Sequence, residues 1–176
     1  MSFLFGHLIG ALIAGKGYEY FSKKKNNHYT WFFLLAGAII PDLDFFIDWT
    51  LGTHLHRTFT HSLLFVLSAP VILFLILKLF LNKNNQHQQK YFSIALGAGI
   101  LTHLFLDLFS ARGVPLFWPS LVHFSSTHVG YYNPATPAFL NGSPAEVLLA
   151  LKLAIADMAV GAAWLFYLWW KKKVEF

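Results

Sequence analysis

Long apolar runs, separated by short polar breaks that carry most of the lysines, give this chain its layout. Residues 3–21 are apolar apart from a few positions that include His7, Lys16 and Glu19, and further runs cover 31–51, 62–81, 91–110 and 144–170. At ~1.5 Å of rise per residue, a helix of about 20 residues matches the hydrocarbon thickness of a bilayer. The second run is expected to break at Pro41, which lacks a backbone donor and is followed by Asp42, Asp44 and Asp48. Irregular backbone at that depth is tolerated where it lines an enclosed or wet cavity. Gly97-Ala98-Gly99 in the fourth run suits close helix packing. Residues 111–144 read as a long irregular loop, a length that usually signals function. Ser143-Pro144-Ala145-Glu146 then supplies an N-cap, a proline at the first helical position and a capping-box glutamate. Trp164, Trp169 and Trp170 form an interfacial belt before the stop at Lys171–Lys173. The pattern predicts one all-α domain over residues 1–176, an integral membrane bundle of about five helices with a long irregular outer loop.

Composition agrees with that layout. Of 176 residues, 56% are hydrophobic and 12% charged, about half the charge of a soluble domain. With no cysteine, disulfides and thiolate metal sites are excluded. The run at residues 3–21 lacks the basic leader of a signal peptide, and its lysines follow the apolar stretch. The net charge of +5 comes mainly from lysines beside apolar segments, which indicates membrane orientation and not nucleic-acid binding.

Five spans place Lys23–Lys25, Lys83, Lys90 and Lys171–Lys173 on one side, against Arg57 and Arg112 on the other. The positive-inside rule makes the lysine side cytoplasmic, with the N-terminus out and the C-terminus in. That arrangement has a consequence for the polar residues. His7, Asp42, Asp44, His56, His61, His103 and Asp107 all fall at the outer level of the bundle. Ionisable residues in such a setting are functional-site candidates by default.

Their chemistry is that of a cation site. Imidazole and carboxylate without thiolate suit zinc foremost, with manganese or iron as alternatives. Seven candidate ligands exceed the needs of one tetrahedral ion, so one or two divalent ions are expected, and two would serve phosphoester hydrolysis. Asp42 or Asp44 is the candidate bridging ligand or general base. Arg57 offers a planar fork for a developing negative charge, and Thr60 and Ser62 are candidate outer donors. Blander readings stand beside these. His103 and Asp107 are spaced as a simple hydrogen-bonded helical pair, and Asp42-Leu43-Asp44 as a cap or turn. Taken alone, His7 is a core histidine, while His28, Asp48, His54 and His87 read as solvated. His123 and His128 lie in the outer loop with no direction fixed, Glu146 is accounted for by capping, and Asp157 sits within the last run.

Three ordered blocks carry a family resemblance: Pro41-Asp42-Leu43-Asp44; His56-Arg57-Thr58-Phe59-Thr60-His61-Ser62; and His103-x3-Asp107 followed by Gly113-Val-Pro-Leu-x-Trp118-Pro119. Together with His7-Leu8 they resemble the YdjM-type membrane-bound, metal-dependent hydrolases, a family also described as LexA-regulated. Thr58, where the family usually has glycine, and Phe45, where many members have histidine, depart from the pattern. The resemblance implies hydrolysis in a bacterial inner membrane, with ligand roles for Asp42, Asp44, His56, His61, His103 and Asp107. A fainter similarity, in the order of histidines and aspartates, is to zinc-dependent phospholipases C and single-strand nucleases, and it favours a phosphodiester. The expectation is a hydrolase acting on a phosphoester or related ester of a membrane lipid or lipid-like substrate at the outer interface. Two rivals stay open, an ion or proton transporter and a non-catalytic protein with a structural metal.

Overall fold

The computed structural model describes residues 4–51, 57–80, 85–110, 113–120, 122–126 and 129–131, with isolated helical positions at 159, 163, 167 and 170. Helix α1 spans Leu4–Ser22, α2 His28–Ile39, α3 Asp44–Leu51, α4 Leu63–Phe80 and α5 Gln86–Asp107. Short 3-10 turns cover Ile40–Leu43 and Phe59–His61, and strands β1 (Val122–Phe124) and β2 (Val129–Tyr131) form an antiparallel hairpin. Apart from those four helical positions, the last expected helix, 144–170, lies outside the described residues, as do candidates His54, His56, His128, Glu146 and Asp157.

Helix α2 starts earlier than the apolar run because the Asn27 side chain accepts from the Thr30 backbone N–H at 2.8 Å, an N-cap. It ends where Pro41 offers no N–H to the carbonyl four residues back, and the chain tightens into a 3-10 turn before α3. Helix α5 likewise begins at Gln86, in what reads as a polar loop, and its first turn tucks the Gln89 side chain inside.

Helices α2 and α5 form the centre. A Cβ on Gly37 would strike the Leu96 carbonyl, and one on Gly99 would strike the Leu34 carbonyl, so the two backbones cross in contact at these glycines. Helix α1 covers the pair on one side, with Gly10 against Leu106 and Gly15 against Trp31. Helix α4 packs on α5, setting Val66 and Pro70 against Gly97.

The arrangement buries polar residues beside its apolar core and leaves many large apolar side chains outside. The face of α5 turned inward holds Gln89, Ser93, His103 and Asp107 among its buried residues, while Ile94, Leu101 and Phe105 are exposed. Exposed Leu67, Val71, Ile72, Leu75, Leu79 and Phe80 line α4, which has no buried residue. An apolar exterior of this extent belongs against lipid. Among the described residues, however, one helix, Leu63–Phe80, is long and apolar enough to cross a membrane, not the expected set of five. The Pro41 break leaves α2 only 12 residues, and α5 opens with the polar turn Gln86–Lys90. The loop after α5 also differs from an irregular one. Val114 bridges Phe124, the hairpin follows, and the Leu63 N–H bonds the Leu116 carbonyl at 3.0 Å, seating the segment beside the start of α4.

Candidate metal centre

Four element ends meet at one level: the first turns of α1, the 3-10 turn after α2, the 3-10 turn before α4, and the last turns of α5. They carry His7, Asp42, His61, and the pair His103 and Asp107. His7, His61 and His103 are each 0% exposed, whereas the Asp42 side chain is 27% exposed, so the cluster opens past Asp42.

The hydrogen bonds fix the imidazole tautomers. His103 Nδ1 lies 2.8 Å from the Ala38 carbonyl, which can only accept, so Nδ1 carries a proton, and in the neutral imidazole the ligating lone pair is on Nε2. Thr60 donates its hydroxyl proton to Asp44 Oδ2, so at 3.0 Å from His61 Nδ1 it accepts. His61 Nε2 therefore also presents a lone pair. Burial holds the His61 imidazole below its ordinary pKa, which favours the neutral form, the one that ligates.

Those two lone pairs face each other at 3.3 Å, with carboxylates on either side. His61 Nε2 is 3.4 Å from Asp42 Oδ1 and 3.5 Å from Asp107 Oδ2, and His103 Nε2 is 3.5 Å and 3.7 Å from the same atoms. A regular tetrahedron of ligands with bonds of about 2.0–2.2 Å has edges of about 3.3–3.6 Å. These five separations are close to five of the six edges of such a figure, and one ligand atom from each of Asp42, His61, His103 and Asp107 lies within 4.8 Å of the others. With both imidazoles neutral and protonated on Nδ1, the four converging atoms are all acceptors, an arrangement a cation satisfies. The residues fit a divalent ion.

Other expected site residues take different places. Asp44 is buried behind His61, 3.7 Å from its Nδ1 and joined to it through Thr60, and its carboxylate lies on the far side from the four converging atoms. Arg57 turns inward instead of offering a free fork. Its Nη2 is 3.2 Å from Asp107 Oδ2, and its Nη1 donates to Ser110 Oγ at 2.9 Å and to the Gly113 carbonyl at 3.1 Å. Arg57 has φ of 62°, a left-handed conformation uncommon for a side-chain-bearing residue and held here by those buried contacts. Ser62 caps the start of α4, its hydroxyl donating to the Phe59 carbonyl at 2.6 Å and accepting from the Phe65 N–H at 3.3 Å. His123 is buried in β1, and His28 and His87 are exposed. His7 packs its ring on His103, centroids 3.7 Å apart, with Nε2 3.6 Å from Asp107 Oδ1 and 4.0 Å from Asp42 Oδ2.

Three participants had not been singled out. Ser110 falls three residues beyond Asp107 on the same helical face, a spacing visible in the sequence. The carbonyls of Ala38 and Gly113 left no signal, because any residue type supplies one.

Taken together, these features define a mostly helical protein with an apolar exterior and a buried imidazole–carboxylate cluster able to hold a cation. The chain belongs to the YdjM inner membrane protein family, whose profile matches residues 1–174. It is also similar to "Uncharacterized protein YvsG" of Bacillus subtilis (strain 168), with 39% identity over 67 residues, or 38% of this chain and 36% of that protein. The match thus spans only about a third of that relative's length. No solved structure matches the chain.

Proposed function

We propose that the protein is a membrane-embedded, metal-dependent hydrolase acting on a phosphoester or related ester of a lipid-like substrate at the outer interface. The observation that carries the reading is the near-tetrahedral convergence of His61 Nε2, His103 Nε2, Asp42 Oδ1 and Asp107 Oδ2, with the proton of each imidazole committed on its outer side. Zinc suits this donor set best, with manganese or iron as alternatives. A bound divalent ion supplies Lewis acidity, activating water and polarising an ester oxygen. The chain's residues hold that arrangement in place. The Ala38 carbonyl and the Asp44–Thr60 pair orient the imidazoles, and Arg57 fixes Asp107 through Oδ2. Asp42, the half-open member, lies where a headgroup would enter from the interface. The family's inner-membrane description and the lysine distribution support an outer-facing site with the C-terminus cytoplasmic.

The test is a screen of detergent-purified protein against chromogenic phosphodiesters and mixed phospholipid micelles. Turnover that falls below detection in His103→Ala, and that chelation abolishes and zinc restores, is the expected result. Turnover equal in wild type and variant would contradict it. A structural ion is the second reading, favoured by four protein ligands that close a tetrahedral shell. It predicts that chelation lowers the thermal midpoint while no substrate in the screen turns over.

A further inference from the structure

His7 is the unexplained residue of the cluster. It is fully buried in α1, and neither ring nitrogen makes a hydrogen bond among the described residues. An imidazole in that state forfeits its polar interactions unless something not yet counted lies beside it. Its Nε2 is aimed at the carboxylates, and at a particular pair of oxygens. Asp42 turns Oδ1 to His61 and His103 but Oδ2 to His7, while Asp107 turns Oδ2 to His61 and His103 but Oδ1 to His7. Each carboxylate therefore has one oxygen on each side of the cluster.

We propose that His7 Nε2, Asp42 Oδ2 and Asp107 Oδ1 form a second divalent-cation subsite, linked to the His61/His103 subsite by both carboxylates. The proposal rests on the metal-centre reading above and extends it. Separations of 3.6 and 4.0 Å admit a cation with bonds of about 2.0–2.2 Å. The two subsites differ in what they leave open. The first has four protein donors, enough to complete a tetrahedron, whereas the second has three, and Asp42, which serves both, is the one partly exposed member. The second subsite is the one with room for water and for an oxygen of a phosphoryl or acyl group. Two carboxylate-linked cations suit substrates whose attacking and leaving oxygens both need charge stabilised, which narrows the substrate class to phosphoesters.

Calorimetric zinc titration of the full chain, purified in detergent and stripped of metal, tests the subsite without reference to activity. Two zinc equivalents per wild-type chain and one in His7→Ala are expected. One equivalent in wild type would overturn the second subsite while leaving the first intact, and it needs no variant to fold. Two equivalents in both proteins would also overturn it, because the second ion would not depend on His7. No binding in wild type would sink this proposal together with the metal-centre reading.

Discussion

Thr60 has one hydroxyl proton, and where that proton goes decides which nitrogen of His61 carries the ring proton. It goes to Asp44, so the hydroxyl accepts from Nδ1 and leaves Nε2 bare. Thr60→Val keeps the shape and removes the link. Zinc affinity, read by competition with a chromophoric chelator, is expected to fall about 10–100-fold, as for other outer partners of metal ligands. Thr60→Ser should restore most of it, and unchanged affinity in the valine variant would contradict the role. Arg57 acts on Asp107 by charge. Removing one partner of a buried ion pair costs about 3–5 kcal/mol, so Arg57→Ala should lower the thermal midpoint in detergent. The drop should shrink when zinc is added, because the ion takes over the countercharge. At this scale the sequence was informative about residue types and levels. It indicated that His7, Asp42, His61, His103 and Asp107 belong to one level of the bundle, and these five do meet in space. It was silent on direction. Asp42 and Asp44 are indistinguishable by spacing, yet one turns into the cluster and the other turns behind His61, because the 3-10 turn rotates successive side chains apart.

The crossing of α2 and α5 couples packing to the site. A Cβ at Gly99 would strike the Leu34 carbonyl and the Ala38 backbone N–H, and the Ala38 carbonyl is the acceptor for His103. Gly99→Ala must push α2 away from α5, at about 1–3 kcal/mol for a forced contact. It should also loosen zinc binding by freeing His103 Nδ1. Gly17→Ala is the control. A Cβ there meets nothing within 4 Å, and alanine in a helix interior gains about 0.5–1 kcal/mol over glycine. Differential scanning fluorimetry in detergent should move the two variants in opposite directions, and a shared direction would refute the crossing. Among the elements, the proline break after α2 was legible because a missing N–H is a local fact. The starts of α2 and α5 were not read from hydropathy, since both lie in polar sequence. Asn27 with Thr30 is the cap signal that marks the first. The hairpin was not legible either, because Val122–Phe124 and Val129–Tyr131 are only three residues each.

For the whole molecule, sidedness is the claim that joins fold to function. The loop at Lys23–Lys25 and the segment around Ser120 fall at opposite ends of the bundle. The natural chain has no cysteine, so single-cysteine variants report position cleanly. In right-side-out spheroplasts, an impermeant maleimide should label Ser120→Cys and spare Lys24→Cys until the membrane is breached, and the reverse pattern would place the metal centre on the cytoplasmic face. The exposure of many Leu, Ile and Phe side chains, with His and Asp buried beside an apolar core, is consistent with that setting. The central claim, that this buried cluster binds a cation, is tested most directly by elemental mass spectrometry on protein purified in detergent without chelator, beside His103→Ala/Asp107→Ala. The account predicts at least one zinc, manganese or iron ion per wild-type chain and loss of it in the double variant. A wild-type chain free of metal, or one whose metal survives the double substitution, would contradict it.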